Sequence, residues 1–168
     1  MLHDLPSRAL LLERTRTAQQ RAETLGGRVA VLFCELDGFK PVNDRFGQAA
    51  GDAVLVEIAE RIAVNVRRGD TVARVGVDTF AVILEDVHAD DMHATCDRLI
   101  TAVRTGVVLA EHHMPLGLSI GAAIDDDKGD TEALLQRADL AMDEAKALGN
   151  NQYTEYDQRL GESHAKRQ

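Results

Sequence analysis

Apolar residues recur along the chain in patterns that predict its secondary structure. Residues 5–27 place apolar side chains at helical spacing until Gly26 and Gly27, which favour the end of a helix. Residues 28–36, "RVAVLFCEL", are almost all apolar and rich in β-branched side chains, as in a central strand covered on both faces. Asp52 then opens a second predicted helix, whose apolar stripe comprises Val54, Leu55, Ile58, Ala59, Ile62 and Val66.

The same reading extends to the rest of the chain. Between the first strand and the second helix, Pro41 and Gly47 predict a short helical turn and a loop. The stretch "ARVGVDTFAVILED", residues 73–86, predicts two strands joined by a tight turn. The later elements are a helix over 89–104, strands over 107–110 and 116–124, a helix over 131–148 and a strand over 152–156.

This element order predicts one α/β domain, which can also be described as α+β. Because the sheet contains a hairpin, we expect it to be mixed or largely antiparallel. The domain is expected to span residues 1–156. Residues 157–168 form a polar tail, which we interpret as a linker to a further domain.

Composition narrows the classes of partner. The net charge is -9, so a long polyanion such as duplex DNA is excluded as a partner, whereas a small phosphorylated ligand is not. No apolar run reaches transmembrane length and no signal peptide is visible. Cys34 and Cys96 form no CxxC motif and are interpreted as buried thiols of a reducing compartment, which predicts a cytoplasmic protein.

Carboxylates gather at the end of the first strand. Glu35 and Asp37 alternate onto the same side of that strand, and Asp78 lies in the turn of the hairpin. If the strand and the hairpin are neighbours, their oxygens surround one point, which suits a hard divalent cation completed by phosphate oxygens and water. The alternative is that these acids are simply solvated.

The residues then resemble a known family. "LFCELDGFKPVNDRFGQAAGDAVL" is similar to the signature segment of GGDEF domains, the diguanylate cyclases, and "RVGVDTF" stands where that family has "RYGGDEF". "LSIGAA" and "RADLAMDEAKALGNNQY" match later segments, in the family's order. The resemblance implies a palm-like cyclase fold, in which helices flank a central antiparallel sheet. It also implies chemistry in which two facing domains each hold one GTP on Mg²⁺ or Mn²⁺ and together form cyclic di-GMP.

The resemblance also implies roles for individual residues. Asn43 and Asp52 match the guanine-binding amide and carboxylate of the family. The alternative for Asp52 is a helix N-cap. Lys40 and Lys146 match basic residues near the phosphates, and would otherwise be ordinary surface lysines. Glu35 and Asp78 match the metal ligands, with Glu35 in place of an Asp.

Other positions depart from the family pattern, all near its phosphate and metal end. In the hairpin turn, Val77 follows Gly76 in place of a second Gly, and Thr79 replaces a Glu. A β-branched residue disfavours positive φ, so we expect Val77 to distort the turn, and Thr79 removes a carboxylate. Asn150 stands where the family has a phosphate-binding Arg, and Met142 and Asp143 stand where it usually has Leu and Tyr.

One regulatory motif of the family is present. Arg67 and Asp70, in "RRGD", have the spacing of the RxxD site at which cyclic di-GMP inhibits GGDEF domains. Arg binds phosphate or guanine in a bidentate manner and Asp accepts from guanine. The alternative is an ordinary helix end followed by a turn. His112 and His113 are interpreted as loop residues, and Ser119 and Gly121 as structural strand residues.

These features lead to three hypotheses. The first is a degenerate, catalytically impaired GGDEF domain that binds GTP or cyclic di-GMP and regulates an EAL or sensor domain in the same chain. The second is an active diguanylate cyclase that tolerates the altered hairpin. The third is a dimerisation module that binds no nucleotide. A homodimer is an expected partner arrangement in the family.

Overall fold

The computed structural model of the chain describes residues 8–125 and 129–157. Its helices and strands are, in chain order, α1 (Arg8–Leu25), β1 (Val29–Asp37), α2 (Phe39–Phe46), α3 (Gln48–Val64), β2 (Thr71–Arg74), β3 (Thr79–Glu85), α4 (Ala89–Arg104), β4 (Val107–Leu109), β5 (His112–Met114), β6 (Gly117–Ile124), α5 (Thr131–Ala147) and β7 (Tyr153–Glu155). Residues 1–7 and, apart from Asp157, the polar tail predicted at 157–168 lie outside the described residues.

A five-stranded sheet, in the order β2-β3-β1-β6-β7, forms the centre of the fold. All its neighbours are antiparallel except β6 and β7, which confirms the prediction of a mostly antiparallel sheet flanked by helices. A separate two-stranded sheet joins β4 and β5. Strand β1 lies at the centre, so its apolar sequence serves two cores. Val29, Val31 and Phe33 face the core beneath α1 and α5, and the alternate residues face α3 and α4.

Helix α5 approaches β6 unusually closely. A Cβ built on Gly121 of β6 would lie 2.0 Å from the backbone N of Met142 and 2.2 Å from the carbonyl oxygen of Ala138. Both atoms belong to the backbone of α5, so only a glycine at 121 permits this approach. The structure therefore gives Gly121 the structural role expected of it, and the approach sets how near α5 lies to the sheet.

Two predictions of helix, strand or loop are wrong. Residues 39–64 form two consecutive helices, α2 and α3, rather than a helical turn and a loop. Pro41 is tolerated because it lies in the first turn of α2, where no intrahelical N–H is needed. Gly47, at φ 89°, lets the chain turn between the helices within one residue. Asp52 consequently lies in the second turn of α3 and does not open it.

The second error concerns the two histidines. His112 and His113 lie in strand β5 and not in a loop. The turn before them uses Ala110 and Glu111, both at positive φ (48° and 68°). Turns of this kind usually carry Gly, Asn or Asp, which adopt positive φ readily. Because this turn has Ala and Glu instead, the sequence did not indicate a hairpin here.

Candidate active site

The carboxyl end of β1 and the turn of the β2–β3 hairpin meet at one edge of the sheet. Glu35 pairs with Thr79 across β1 and β3. The backbone N–H of Leu36 donates to the carbonyl oxygen of Asp78 at 2.9 Å. Asp78 is thereby held beside Glu35. Burial, and then the neighbouring charge of Glu35, raise the pKa of the Asp78 carboxyl, so two mutually repelling acids share this corner.

Helix α5 brings a lysine to this pair. The Nζ of Lys146 lies 3.0 Å from each carboxylate oxygen of Glu35. The hydrogen bond to Glu35 raises the pKa of Lys146, against the opposing effect of burial. Lys146 was expected near nucleotide phosphates, and the structure places it directly on the predicted metal ligand. One ammonium and two carboxylates therefore form the centre of the candidate site.

Asp37 has a different surrounding from Glu35. Its two carboxylate oxygens each accept from the hydroxyl of Ser119 at 2.9 Å, and Oδ2 also accepts from the backbone N–H of Asn151 at 2.9 Å. Burial raises the pKa of Asp37, and the Asn151 and Ser119 bonds act in the opposite direction. Asp37 thus fastens the turn after α5 to β1 and β6, a role that sequence reasoning missed.

That turn carries Asn150, which the resemblance described above matches to an arginine of the family. Asn150 and Asn151 both have positive φ, 64° and 51°, which asparagine tolerates better than most residues. The pair after Gly149 was visible in the sequence as a helix end, but its attachment to Asp37 was not. Asn150 also lies 3.4 Å from the Ser119 hydroxyl, so its amide stays at the edge of the carboxylate cluster.

The hairpin turn accommodates its β-branched residue. Neither Gly76 nor Val77 has a positive φ. The N–H groups of Val75 and Gly76 both donate to the carbonyl oxygen of Thr79, at 2.9 and 3.3 Å, and close the turn. The expectation that Val77 distorts the backbone through its φ is therefore wrong. Val77 is 64% exposed, so the effect of its side chain is confined to what approaches the turn from outside.

The residues expected to bind guanine lie on α2 and α3, the two helices joined at Gly47. Asn43 belongs to α2 and Asp52 to α3. Because Asp52 is inside α3, the N-cap alternative for this exposed carboxylate does not apply. The Oδ1 of Asn43 is buried and has no hydrogen-bond partner among the described residues. Lys40 is exposed in the first turn of α2.

Glu35 and Asp78 could supply some of the ligands of a divalent cation, but not all of them. Glu35 and Asp78 offer the hard carboxylate oxygens that Mg²⁺ and Mn²⁺ prefer, and a cation would relieve their repulsion. Within residues 8–125 and 129–157, no three His, Cys, Asp or Glu side chains form a group that could hold a metal ion. A metal held here would need further oxygens from a ligand, as a nucleotide's phosphates supply.

Arg67 and Asp70 lie at the opposite end of β3 from the hairpin turn. The Asp70 side chain is only 3% exposed, and it accepts from the N–H of Arg67 at 2.9 Å and that of Glu85 at 3.1 Å. The Arg67 guanidinium donates to the carbonyl oxygens of Glu85 and Asp86. A pocket of about 180 Å³ adjoins this pair and is lined also by Arg98 of α4. Arg98 is too distant in sequence for a local motif to reveal it.

The remaining candidate residues lie apart from this chemistry. His112 contacts Arg45 at 3.3 Å, and the Nε2 of His113 lies 2.8 Å from the carbonyl oxygen of Thr105. Cys34 and Cys96 are both free and buried, and burial raises the pKa of Cys96 to about 12. Neither thiol is therefore an available nucleophile. Within the described part of the chain, no helix combines the length and apolar character needed to cross a bilayer.

The chain is similar in sequence to known proteins along most of its length. The sequence pattern described as "Diguanylate cyclase, GGDEF domain" matches residues 1–152. The chain is 41% identical over 157 residues to MucR of Pseudomonas aeruginosa, a bifunctional diguanylate cyclase and cyclic di-GMP phosphodiesterase, covering 90% of this chain and 23% of MucR. It is 40% identical over 148 residues to the diguanylate cyclase TpbB of the same species, covering 86% of this chain and 34% of TpbB.

Solved structures of GGDEF and GGEEF domains have the same fold as this chain. The isolated GGDEF domain of TpbB superposes with a TM-score of 0.88 at 35% identity, covering 99% of this chain and 98% of that one. The active GGEEF domain of a diguanylate cyclase from Vibrio cholerae superposes with a TM-score of 0.82 at 26% identity, covering 92% of this chain and 99% of the other. The chain thus spans about a quarter to a third of the curated relatives named above.

Proposed function

The chain belongs to the GGDEF domain family of the diguanylate cyclases, and we propose that it is a catalytically impaired member that acts as a regulatory guanine-nucleotide-binding module. The proposal combines two parts. The residues suited to hold a guanine nucleotide are retained. The corner that would organise its α-phosphate and metal lacks two charged groups of the family pattern, because Thr79 and Asn150 stand in their places.

Nucleotide binding is supported by the residues on α2, α3 and α5. Asn43 and Asp52 offer an amide and an exposed carboxylate, which complement the acceptor and donor groups of a guanine edge. Lys146 supplies a positive charge beside the carboxylates, and Lys40 supplies another on α2. These residues would orient the base at one end and the phosphates at the other.

The observation that carries the impairment is the pairing of Thr79 with Glu35 across the two strands. Where the family has a carboxylate, this chain presents a hydroxyl directly opposite Glu35. Asn150 removes a positive charge from the same end of the site. In phosphoryl transfer, positioning and charge provide most of the catalysis, so both losses bear on turnover more than on base recognition.

A divalent metal is part of the same proposal. Glu35 and Asp78 would hold Mg²⁺ or Mn²⁺ together with nucleotide phosphate oxygens. When bound, the ion supplies Lewis-acid stabilisation of charge on the phosphates. Lys146 would then exchange its contact with Glu35 for one with the phosphates, because the cation takes over the neutralisation of Glu35.

Product formation tests the proposal. Concentrated protein is incubated with GTP and Mg²⁺ or Mn²⁺, and pppGpG and cyclic di-GMP are separated by chromatography. We expect no product from the native sequence and measurable product from the Val77→Gly, Thr79→Glu double variant. GTP binding by the native protein is measured in parallel by calorimetry with Ca²⁺ in place of Mg²⁺. Product from the native protein would overturn the impairment and establish the active cyclase.

The active cyclase remains the second candidate for a specific reason. The hairpin closes normally with Val77 at negative φ, so the substitution costs the turn no backbone strain. The activity of the native protein separates the two candidates, and the single Thr79→Glu variant shows which hairpin substitution causes a defect. If the native protein is inactive and this variant alone restores product, the lost carboxylate is the defect and Val77 is tolerated.

Cyclic di-GMP is the ligand we propose for the Arg67–Asp70 site. The support is a pocket of about 180 Å³ whose lining includes Arg67 and Arg98 together with the acids Asp70 and Asp91, and the Asp70 side chain is buried. Such a set suits a ligand that offers phosphates and guanine edges together. Calorimetric titration with cyclic di-GMP, with Arg67→Ala as control, tests it. Flat titrations with both nucleotides would favour the non-binding dimerisation module.

The setting of the domain is also a proposal. We infer that it works in the cytoplasm beside an EAL or sensor domain, with residues 157–168 as the connection and a homodimer as the functional arrangement. The support is that MucR is named for both the cyclase and the phosphodiesterase, and that the match covers 23% of its length. Measuring the neighbour's activity with and without GTP tests this coupling.

A further inference from the structure

Gly51 stands at a position where ordinary helix chemistry does not call for glycine. It is buried in the first part of α3, and its φ is not in the positive range. Its N–H donates to the carbonyl oxygen of Gly47 as in a regular helix. Glycine is among the least favourable residues in a helix interior. The backbone therefore gives no reason for glycine at 51, and the reason must be a neighbour.

That neighbour is Asn43 of α2. A Cβ built on Gly51 would lie 1.7 Å from the Oδ1 of Asn43 and 2.8 Å from its Cγ. It would also lie 3.2 Å from the Cζ of Phe39, which is closer than an ordinary van der Waals contact. The carboxamide of Asn43 thus occupies the space that any larger residue at 51 would fill.

The position of Asn43 is fixed by this packing and not by hydrogen bonds. Its Oδ1 is buried against α3 without a partner among the described residues, an arrangement that costs stability and therefore calls for a functional explanation. With the oxygen turned inward, the Nδ2 remains as the amide atom available to a ligand. Asp52, the next residue after Gly51, presents an exposed carboxylate.

We propose that Gly51 is a positioning residue for guanine recognition. By leaving room for the Asn43 carboxamide against α3, it sets an amide donor beside the Asp52 carboxylate. That carboxylate can accept from both the N1–H and the exocyclic amine of guanine, whereas the N1 of adenine carries no proton. This inference rests on the proposed guanine-nucleotide binding at Asn43 and Asp52. Gly51 itself touches no ligand and acts only through Asn43.

The test compares nucleotides on native protein and on Gly51→Ala, by calorimetry with GTP and ATP in the presence of Ca²⁺. ATP shares the phosphates and the metal, so it isolates the contribution of the base. We expect Gly51→Ala to lose about tenfold in GTP affinity, as for a displaced polar partner, with ATP affinity unchanged. The selectivity ratio is the readout, because a general loss of structure would weaken both nucleotides together.

A double variant provides the matched control. Asn43→Ala removes the carboxamide, so adding Gly51→Ala in that background should change GTP affinity by less than about twofold. There the substitution should also cost less in melting temperature than in the native background. The collision with the carboxamide is then gone and only the 3.2 Å approach to the Phe39 ring remains. If Gly51→Ala alone fails to fold, folding of the double variant shows the collision and Asn43→Ala carries the selectivity test.

The possible results distinguish a failure of the proposed guanine-nucleotide binding from a failure of the role proposed for Gly51. Native protein that does not prefer GTP over ATP overturns the proposed function and this inference with it. Native preference for GTP that Gly51→Ala leaves intact overturns the inference alone. An equal loss of GTP and ATP affinity in the folded Gly51→Ala variant also overturns it, because the substitution would then act on the whole site.

Discussion

Gly121→Ala should be among the most damaging single-methyl additions in this domain. The added Cβ would meet the Met142 backbone N at 2.0 Å and the Ala138 carbonyl oxygen at 2.2 Å. Ordinary contact begins near 3.4 Å, so α5 must retreat by about 1.4 Å from β6. The obstructing atoms are backbone, so no side-chain rotation can relieve the collision. Overpacking costs about 1–3 kcal/mol, and here we expect the upper end, about 3 kcal/mol.

The effect should reach the candidate site, because α5 carries Lys146. A retreat of the helix lengthens the contact of 3.0 Å between the Lys146 ammonium and Glu35. We therefore expect Gly121→Ala to weaken GTP binding as well as stability. Urea unfolding followed by circular dichroism gives the free energy of unfolding, and calorimetry on the folded variant gives the GTP affinity.

Gly69→Ala is the matched control for this measurement. A Cβ at Gly69 would have nothing within 4 Å, and its φ is not positive. Its free energy of unfolding should stay within about 0.5 kcal/mol of the native value. A loss below about 1 kcal/mol for Gly121→Ala, no larger than an average point substitution, would refute the reasoning that the α5 backbone fixes the need for glycine.

Two further predictions concern the charged centre. Burial and Glu35 raise the pKa of Asp78, so the folded state holds its proton more readily than the unfolded state, and stability falls as pH rises through that range. Asp78→Asn should therefore raise the melting temperature at neutral pH but not in acid. The variant should also lose Mn²⁺-dependent GTP binding. A lower melting temperature at neutral pH would contradict the effect expected on stability. Lys146→Met removes a partly exposed ion pair, so the free energy of unfolding should change by no more than about 1 kcal/mol. Its GTP affinity should fall about tenfold, ~1.4 kcal/mol, by calorimetry, and a large stability loss with native binding would show that Lys146 is structural.

Local sequence patterns determined much of the architecture. The unbroken apolar run of β1 could be satisfied only by a strand buried on both faces, and the structure places it at the centre of the sheet. The hairpin after α3 and the mostly antiparallel sheet follow from alternation and turn residues. The ordered match of several segments to the GGDEF family then identified the domain.

Local patterns failed where neighbouring context decided the conformation. The sequence around Pro41 and Gly47 favoured a loop, but one residue at positive φ is enough to join α2 directly to α3. Val77 was expected to strain its turn, yet that turn is closed by bonds to Thr79 without positive φ. Residue preferences are averages over many turns, whereas the flanking strands of this hairpin select one.

Tertiary structure alone decided the contacts that make the candidate site. Lys146 and Glu35 are 111 positions apart, and their contact depends on how close α5 lies to β6, which the absent side chain of Gly121 sets. Asp37 and Asn151, 114 positions apart, meet because the turn after α5 folds back onto the sheet. Periodicity specifies which face of an element is buried, but not the distance at which two elements pack. That distance depends on the side chains of both partners together, and a sequence pattern describes only one element at a time.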